Sequence, residues 1–336
     1  MSEINIYRAF LLALELDGHI PAAAALGCPQ DDVIQAITKV EEEFNAPLLV
    51  CRKTGAWLTT EGKELLPRIH AKAAEQAAPK ERIMTVDEIF SLLKKKFRAL
   101  PQVQSLLGAE DLIRVAPLTP EAILGSAERK DFPVLSGKEI IQQAEFRHGR
   151  GQSFTAYPAS AELTLADLLK LDMGGYKKQA LFVAGINAVL QYLGLINNAV
   201  HCKDDGPERC SLTAAERLPA ELGDVKLALI GYQPCLFANL SRGFPHMRAT
   251  DLSPDKIGRT ANNVTVEDAG TATEEVCQWA DVILCTGSTL TNGTFPWFYG
   301  CLLGGKDVRF YGTTVAGAAY LLDLPRMCYA DGNGRP

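Results

Sequence analysis

Residues 201–210, HCKDDGPERC, place an imidazole, two thiols and three carboxylates in one short stretch broken by Gly206 and Pro207. His201, Cys202 and Cys210 are metal-ligand types. Thiolates suit soft ions such as zinc or copper(I), whereas Asp204, Asp205 and Glu208 suit harder ones. The Cys-x7-Cys spacing is not the Cys-x2-Cys knuckle of a structural zinc site, and no second pair stands at zinc-finger distance. The set therefore needs completion from elsewhere in the chain or from a bound small molecule. Cys235 is a candidate additional thiolate, because a helix N-terminus at that point would lower its pKa. The competing reading is a surface loop that carries two reduced thiols.

A second kind of chemistry is suggested by TGSTLTNGT (286–294) and the GTT turn (312–314), each of which follows a predicted strand. In an open parallel sheet, ligands bind beyond the carboxyl ends of the strands, where N–H groups of the next helix face them. Thr286, Gly287, Ser288, Thr289, Asn292, Gly293 and Thr294 offer hydroxyls, an amide and close backbone approach, as do Gly312, Thr313 and Thr314. Gly231 and Tyr232 end another predicted strand. Asp251 ends the next, where a ribose-binding acid stands in dinucleotide folds. The ending GYQPC lacks G-x-G-x-x-G, which excludes a standard dinucleotide cradle. Capping of helices by the same Ser, Thr, Asn and Asp residues is the alternative. No general base stands near a nucleophile: His19, His70, His148 and His246 are scattered. EFRHGRGQ (145–152) sets Arg147, His148 and Arg150 among glycines, which suits either an anion or a flexible basic loop.

These residues have to be positioned by an α/β multidomain chain. With 336 residues and 47% hydrophobic content, two or three domains with real cores are expected. From residue 221 onward, continuous apolar runs (225–232, 246–252, 281–287, 307–313 and 326–331) alternate with helical segments, which predicts a Rossmann-like parallel sheet over 221–331. Residues 83–220 read as a mixed α+β lobe whose longest oily stretch, ALFVAGINAVLQYLGLI, is interrupted by Asn187 and Gln191 and reads as a buried helix. Residues 1–75 are helical in period, with Val33, Ile37, Val40 and Phe44 on one face, followed by two short strands and a capped helix. The first residues are too charged for a signal peptide, so nine cysteines are expected to stay mostly reduced in a cytoplasmic setting, with no membrane contact. A net charge of −6 excludes global steering toward nucleic acid.

Helix, turn, helix and wing over the first 70 residues resemble the winged helix-turn-helix of LysR-type and ModE-like regulators. The matching residues are Ala22 to Leu26, Ile37, Glu41, Pro47-Leu48, Arg52, Leu58-Thr59 and Gly62. The resemblance implies DNA contact by Gln35, Lys39, Arg52 and Lys53. Against it, residues 1–75 hold 7 basic and 11 acidic residues, and Asp31 and Asp32 open the reading helix, so only weak DNA binding is expected. The remainder resembles the heavy-metal chelation domain family. ALIGYQP, ADVILCTGSTLTNGT and GTT look like its Rossmann-like half, and FTAYPASAELTLADLLKL and ALFVAGINAVL like its enolase-N-terminal-like half. That resemblance implies a metal ion or metal complex as ligand, bound in a cleft between the two lobes. The N-terminal domain would then serve assembly, as a homodimer, or partner contacts. The alternative is a ligand- or metal-responsive transcriptional regulator.

Overall fold

A computed structural model describes residues 6–16, 18–26, 28–52, 55–77, 83–129, 131–136 and 139–329. The chain divides into two compact units, residues 1–82 and 83–336.

In the first unit three helices, α1 (Ile6–Glu15), α2 (His19–Leu26) and α3 (Gln30–Phe44), precede an antiparallel hairpin of β1 (Leu49–Arg52) and β2 (Gly55–Leu58) and a long helix, α4 (Thr60–Ala77). Val33, Ile37 and Val40 are buried on the inner face of α3, with Phe44 packed beside them, as their spacing requires. Asn45, in the left-handed conformation, ends α3. The Glu41 carboxylate then accepts the Leu48 and Leu49 N–H groups (2.7 and 3.1 Å), fixing the entry into the hairpin.

The second unit opens with α5 (Val86–Ala99), whose Thr85–Glu88 capping box satisfies its first N–H groups, and α6 (Pro101–Gln104). Next come β3 (Leu112–Pro117), α7 (Pro120–Leu124), α8 (Pro133–Ser136), β4 (Ile140–Phe146), β5 (Gly149–Thr155), β6 (Ala161–Thr164) and α9 (Leu165–Lys170). The four strands form an antiparallel sheet in the order β5-β4-β3-β6. Across it lies α10 (Tyr176–Tyr192), buried continuously from Gln179 to Leu190. Gly149 and Gly151 allow this packing, because a Cβ at Gly151 would lie 2.1 Å from the Ala188 nitrogen. The glycines of EFRHGRGQ therefore seat a helix, and the segment is a strand hairpin rather than a flexible basic loop.

After α11 (Gly206–Leu222) the chain alternates: β7 (Leu227–Ile230), α12 (Pro234–Gly243), β8 (Met247–Asp251), β9 (Thr260–Ala261), β10 (Val264–Asp268), α13 (Ala269–Trp279), β11 (Val282–Thr286), α14 (Thr289–Asn292), α15 (Phe295–Leu303), β12 (Asp307–Tyr311), α16 (Ala316–Leu322) and β13 (Arg326–Met327). The sheet order is β13-β12-β11-β7-β8-β10-β9, parallel throughout except for β9. Counting only the parallel strands, this is the doubly wound order 3-2-1-4-5-6, with its switch point between β7 and β11. One continuous core joins the inner faces of both sheets: Phe146, Phe182, Ile186 and Leu190 belong to the same cluster as Ile283, Phe298 and Phe310. Residues 83–220 and 221–331 are thus two layers of one unit. Among the described residues no helix is long and apolar enough to cross a membrane.

Candidate functional site

Strand β5 is an edge strand, so every second residue presents its N–H and C=O groups away from the sheet, where burial without partners would be costly. The parallel layer and α10 supply the partners. Gln191 accepts the Arg150 N–H (2.7 Å), Ala199 accepts the Gln152 N–H (3.0 Å), and Asn187 donates to the Gln152 carbonyl (2.9 Å). The Thr314 hydroxyl accepts the Phe154 N–H (2.9 Å) and the Thr291 hydroxyl donates to the Phe154 carbonyl (2.5 Å). Asn187 also donates to the Thr313 and Thr314 carbonyls (each 3.2 Å) and accepts the Gly317 N–H (2.7 Å). The two polar interruptions of the oily helix are therefore the groups that seal the edge of the neighbouring strand.

This stitching reassigns much of the threonine-rich turns. Thr289 donates to the Thr286 carbonyl (2.8 Å), Asn292 Oδ1 accepts from the Thr294 N–H and hydroxyl (3.1 and 2.7 Å), and Thr286 faces Ser288 (3.0 Å). A Cβ at Gly287 would lie 2.7 Å from Val315, and one at Gly293 would press on Tyr176. The switch point itself is filled. The buried Tyr311 hydroxyl donates to the Gly231 carbonyl (2.6 Å), and a Cβ at Gly231 (φ +89°) would meet Thr286 at 2.5 Å. Gly312 offers its carbonyl to Arg326 (3.2 Å). At the start of α12 the Gln233 side chain accepts the Leu236 N–H (2.5 Å), taking the place at a helix N-terminus where a pyrophosphate would sit. Thr313 and Thr314 tie the parallel layer to the antiparallel one, Gly287 and Gly293 are closed over by Val315 and Tyr176, and Thr286, Thr289 and Thr294 bond within their own turn.

Space remains one step to the side. A cavity of about 240 Å³ lies where the end of β5, the start of α10 and the turn after β11 meet, lined by Phe154, Thr155, Tyr157, Tyr176, Ser288 and Asn292, with Glu139 at its wall. Tyr157 and Tyr176 stack at 5.5 Å and are both exposed at 54% and 42%, so the ring pair is solvated on its outer side. Of the ligand residues expected from the sequence, Ser288 and Asn292 reach this space. Asp251 acts on the Glu139 wall through its charge. Its two carboxylate oxygens accept the Tyr232 and Ser253 N–H groups (2.6 and 2.7 Å), which orients it at the end of β8. Tyr232 packs its ring on Phe237 and under Arg259. Burial pushes the Asp251 carboxyl up, against those N–H groups and Lys256. Burial, and then the neighbouring Asp251 charge, push the Glu139 carboxyl up to about 7, with Lys256 opposing. Lys256 itself is only 3% exposed. A carboxyl pushed up to about 7 thus lines the cavity, with the charges of Asp251 and Lys256 acting on it, and a perturbed carboxyl in a polar cavity is the arrangement expected of a binding or proton-transfer site. Glu139 and Lys256 carry no sequence signal of their own: each is a lone charged residue outside any motif.

The cysteine-histidine stretch is arranged otherwise. Among the described residues no three His, Cys, Asp or Glu side chains come together in a way that could hold a metal ion. His201, Cys202 and Cys210 do not converge because the chain turns into α11 between them. Asp204 accepts the Ser126 N–H and hydroxyl (each 2.8 Å), Asp205 pairs with Arg209 one turn on, and Glu208 accepts from Asn239 (3.0 Å). Burial lowers the His201 imidazole, so it stays neutral. Cys235 is the reverse of an activated thiolate. Burial and a hydrogen bond to Glu208 push it up to about 12.

In the first unit Gln35 and Lys39 are exposed on the outer face of α3, beside exposed Asp31. Arg52 ends β1, and Lys53 lies outside the described residues.

The second unit is thus a doubly wound α/β layer sealed to an antiparallel α+β layer, with a polar cavity at their junction. Residues 218–323 match the model of the DUF364 family, described as "putative heavy-metal chelation". A DUF364-family protein of Pyrococcus horikoshii aligns with 67% of this chain and 79% of its own, at 20% identity and a TM-score of 0.41. One from Desulfitobacterium hafniense aligns with 70% and 83%, at 11% identity and a TM-score of 0.41. No curated protein matches the chain.

Proposed function

We propose that this protein binds a small polar ligand, and a metal only as part of such a ligand, in the cavity bounded by Glu139, Ser288 and Asn292. The observation that carries the reading is the 240 Å³ cavity, walled by a carboxyl that titrates near 7, in a unit holding a domain of a family described as "putative heavy-metal chelation". A bare ion needs three or more protein donors in convergent geometry, and no such cluster occurs among the described residues. A metal held by a small organic chelator needs only a shaped cavity with hydrogen-bonding walls. Thr155, Ser288 and Asn292 supply the polar atoms, and the Tyr157–Tyr176 stack supplies a flat aromatic wall. Glu139 matches its charge to the ligand by gaining or losing a proton near neutrality. The test is native mass spectrometry with elemental analysis of the purified full chain. The expected result is an adduct of organic mass, with metal in proportion to it. Metal bound stoichiometrically without organic mass would overturn the reading.

Residues 1–82 are proposed to serve assembly as a homodimer or contact with a protein partner. Exposed Ile20 (63%), Ile34 (40%) and Trp57 (43%) support this. The succession of three helices, hairpin and helix favours a second reading, a winged helix-turn-helix in a ligand-responsive regulator. The acidic opening of α3 weighs against tight DNA contact.

A further inference from the structure

We propose that the excursion between β3 and β4 is a flap that backs the cavity wall, latched by the acidic side of HCKDDGPERC, and that Asp204 is the positioning residue that holds it shut. This rests on the cavity assigned above, not on the ligand proposed for it. The flap, described over residues 118–129 and 131–136, carries α7 and α8. The Asp204 N–H donates to the Leu124 carbonyl (2.8 Å), and its Oδ1 accepts both the N–H and the hydroxyl of Ser126 (each 2.8 Å). Gly125 lies between these bonds in the left-handed region (φ +63°), where a Cβ would stand 2.5 Å from Asp204 Oδ1. Asp204 is itself left-handed (φ +57°), in the turn that leads into α11. One turn on, Glu208 meets Arg129 of the flap at 3.5 Å and accepts from Asn239 of α12 at 3.0 Å, while Arg129 also pairs with Asp131 (2.6 Å). Two of the three carboxylates in the stretch thus hold one neighbouring segment.

The flap and the cavity share a wall. Under the flap lies a small apolar cluster, separate from the main cores, in which Ile123, Leu124, Phe132 and Val134 close on Ile141 of β4 and on Cys235 in the first turn of α12. Ile140 and Phe154 pack against the same cluster, and Phe154 and Glu139 line the cavity. The base of the flap is pinned where the Leu118 N–H donates to the Ile141 carbonyl (2.9 Å). Glu139 stands on the return leg, two residues before that bond. A satellite cluster closed by a few exposed hydrogen bonds can open without unfolding the cores beside it. Asp251 and Lys256, whose charges act on Glu139, belong to the parallel layer and stay behind when the flap lifts. Lifting hydrates the Glu139 carboxyl, which burial holds up to about 7 while the flap is shut. The open state therefore ionises first, and opening becomes easier as pH rises from about 4.5 to about 7, with no further change above that. The Ser126 hydrogen bonds, with the charges of Lys203 and Arg209, hold the Asp204 carboxyl below its usual range, so the latch stays formed through that window.

The test is hydrogen exchange of the full chain read by mass spectrometry, with peptides over 120–136 compared with those of α10 and corrected for intrinsic rates at each pH. D204G keeps the left-handed backbone but loses the carboxylate. At neutral pH it should speed exchange of the flap about two- to tenfold, while α10 exchanges as in wild type. D204N keeps Oδ1 and should restore wild-type rates; S126A, which loses the hydroxyl bond alone, should give a smaller increase. From about pH 4.5 to about pH 7, opening of the flap should rise by up to about a hundredfold in the wild-type chain and stay flat in E139Q. A folded D204G or S126A chain whose flap exchanges no faster than wild type, D204N exchanging as fast as D204G, or an E139Q profile that rises like wild type would overturn the proposal. All of these are read without a ligand, so a missing organic adduct would count against the ligand reading alone.

Discussion

Replacing Asn187 by alanine removes the side chain that joins the two layers of the second unit. Its amide donates to the carbonyls of Gln152, Thr313 and Thr314 and accepts the Gly317 N–H, and the residue is fully buried. Two donor hydrogens are shared among three carbonyls. Their loss strands two carbonyls and one N–H group in an interior that water reaches poorly. At about 1–3 kcal/mol for each stranded group, the expected cost is on the order of 3–9 kcal/mol. That is a large part of the roughly 5–15 kcal/mol that holds a typical domain. Urea unfolding of the full chain, followed by near-UV circular dichroism, should show a lower midpoint for the second unit. N187L separates the two contributions, because it restores volume but not hydrogen bonds. Both variants should be destabilised to a similar extent. Leucine recovering stability to within about 1 kcal/mol of wild type would refute the claim that the hydrogen bonds, rather than packing, join the layers.

Further expectations follow from the same geometry. G151A should fail to accumulate as a folded chain, because the new methyl group meets the α10 backbone at 2.1 Å, while the neighbouring R150A on the exposed side should fold normally by circular dichroism. Glu139 has a folded pKa raised above its unfolded value, so the unfolded chain ionises first: stability falls as pH rises from about 4.5 to about 7 and is level above that. E139Q should therefore be more stable than wild type at pH 8 and indistinguishable at pH 4, measured by thermal unfolding. Fluorescence anisotropy of the full chain on duplex DNA at physiological salt should give dissociation constants no tighter than about 10⁻⁴–10⁻⁶ M. Nanomolar, sequence-selective binding would instead favour the regulator reading.

The parallel sheet is legible in the sequence because its central strands β7 (LALI) and β11 (VILCT) are nearly continuous apolar runs buried on both faces. Strands β7, β8, β11 and β12 fall inside the predicted segments, whereas β10 (VTVED), with polar residues turned outward, lies in none of them. The α3 face is legible for the same reason, through helical spacing. The site is much less so. Threonine and asparagine in TGSTLTNGT signal backbone contact, but the sequence does not say whether the backbone belongs to a ligand's helix or to another layer. Thr291 and Thr314 turn out to serve strand β5. Asn187 and Gln191 were the readable clue, since an amide inside an otherwise apolar helix must have a partner. Glu139 had no such clue. Its character arises from Asp251 and Lys256, over one hundred residues away along the chain, and only the fold brings them together. HCKDDGPERC misleads because proximity in sequence is not convergence in space: α11 begins inside it, and Asp204 and Glu208 turn to Ser126 and Asn239.

The most direct test of the central claim fills the cavity without touching its polar groups. Ala156 lines the space, is exposed, and carries no side-chain hydrogen bond, so A156W should occupy the cavity while leaving the layers intact. Native mass spectra of the wild-type and A156W full chains, prepared in parallel without chelators, are the measurement. A small organic adduct on the wild-type chain, with or without metal, that is absent from a folded A156W chain is the predicted result. A wild-type chain that flies at its bare mass, or an adduct retained in full by A156W, would contradict it.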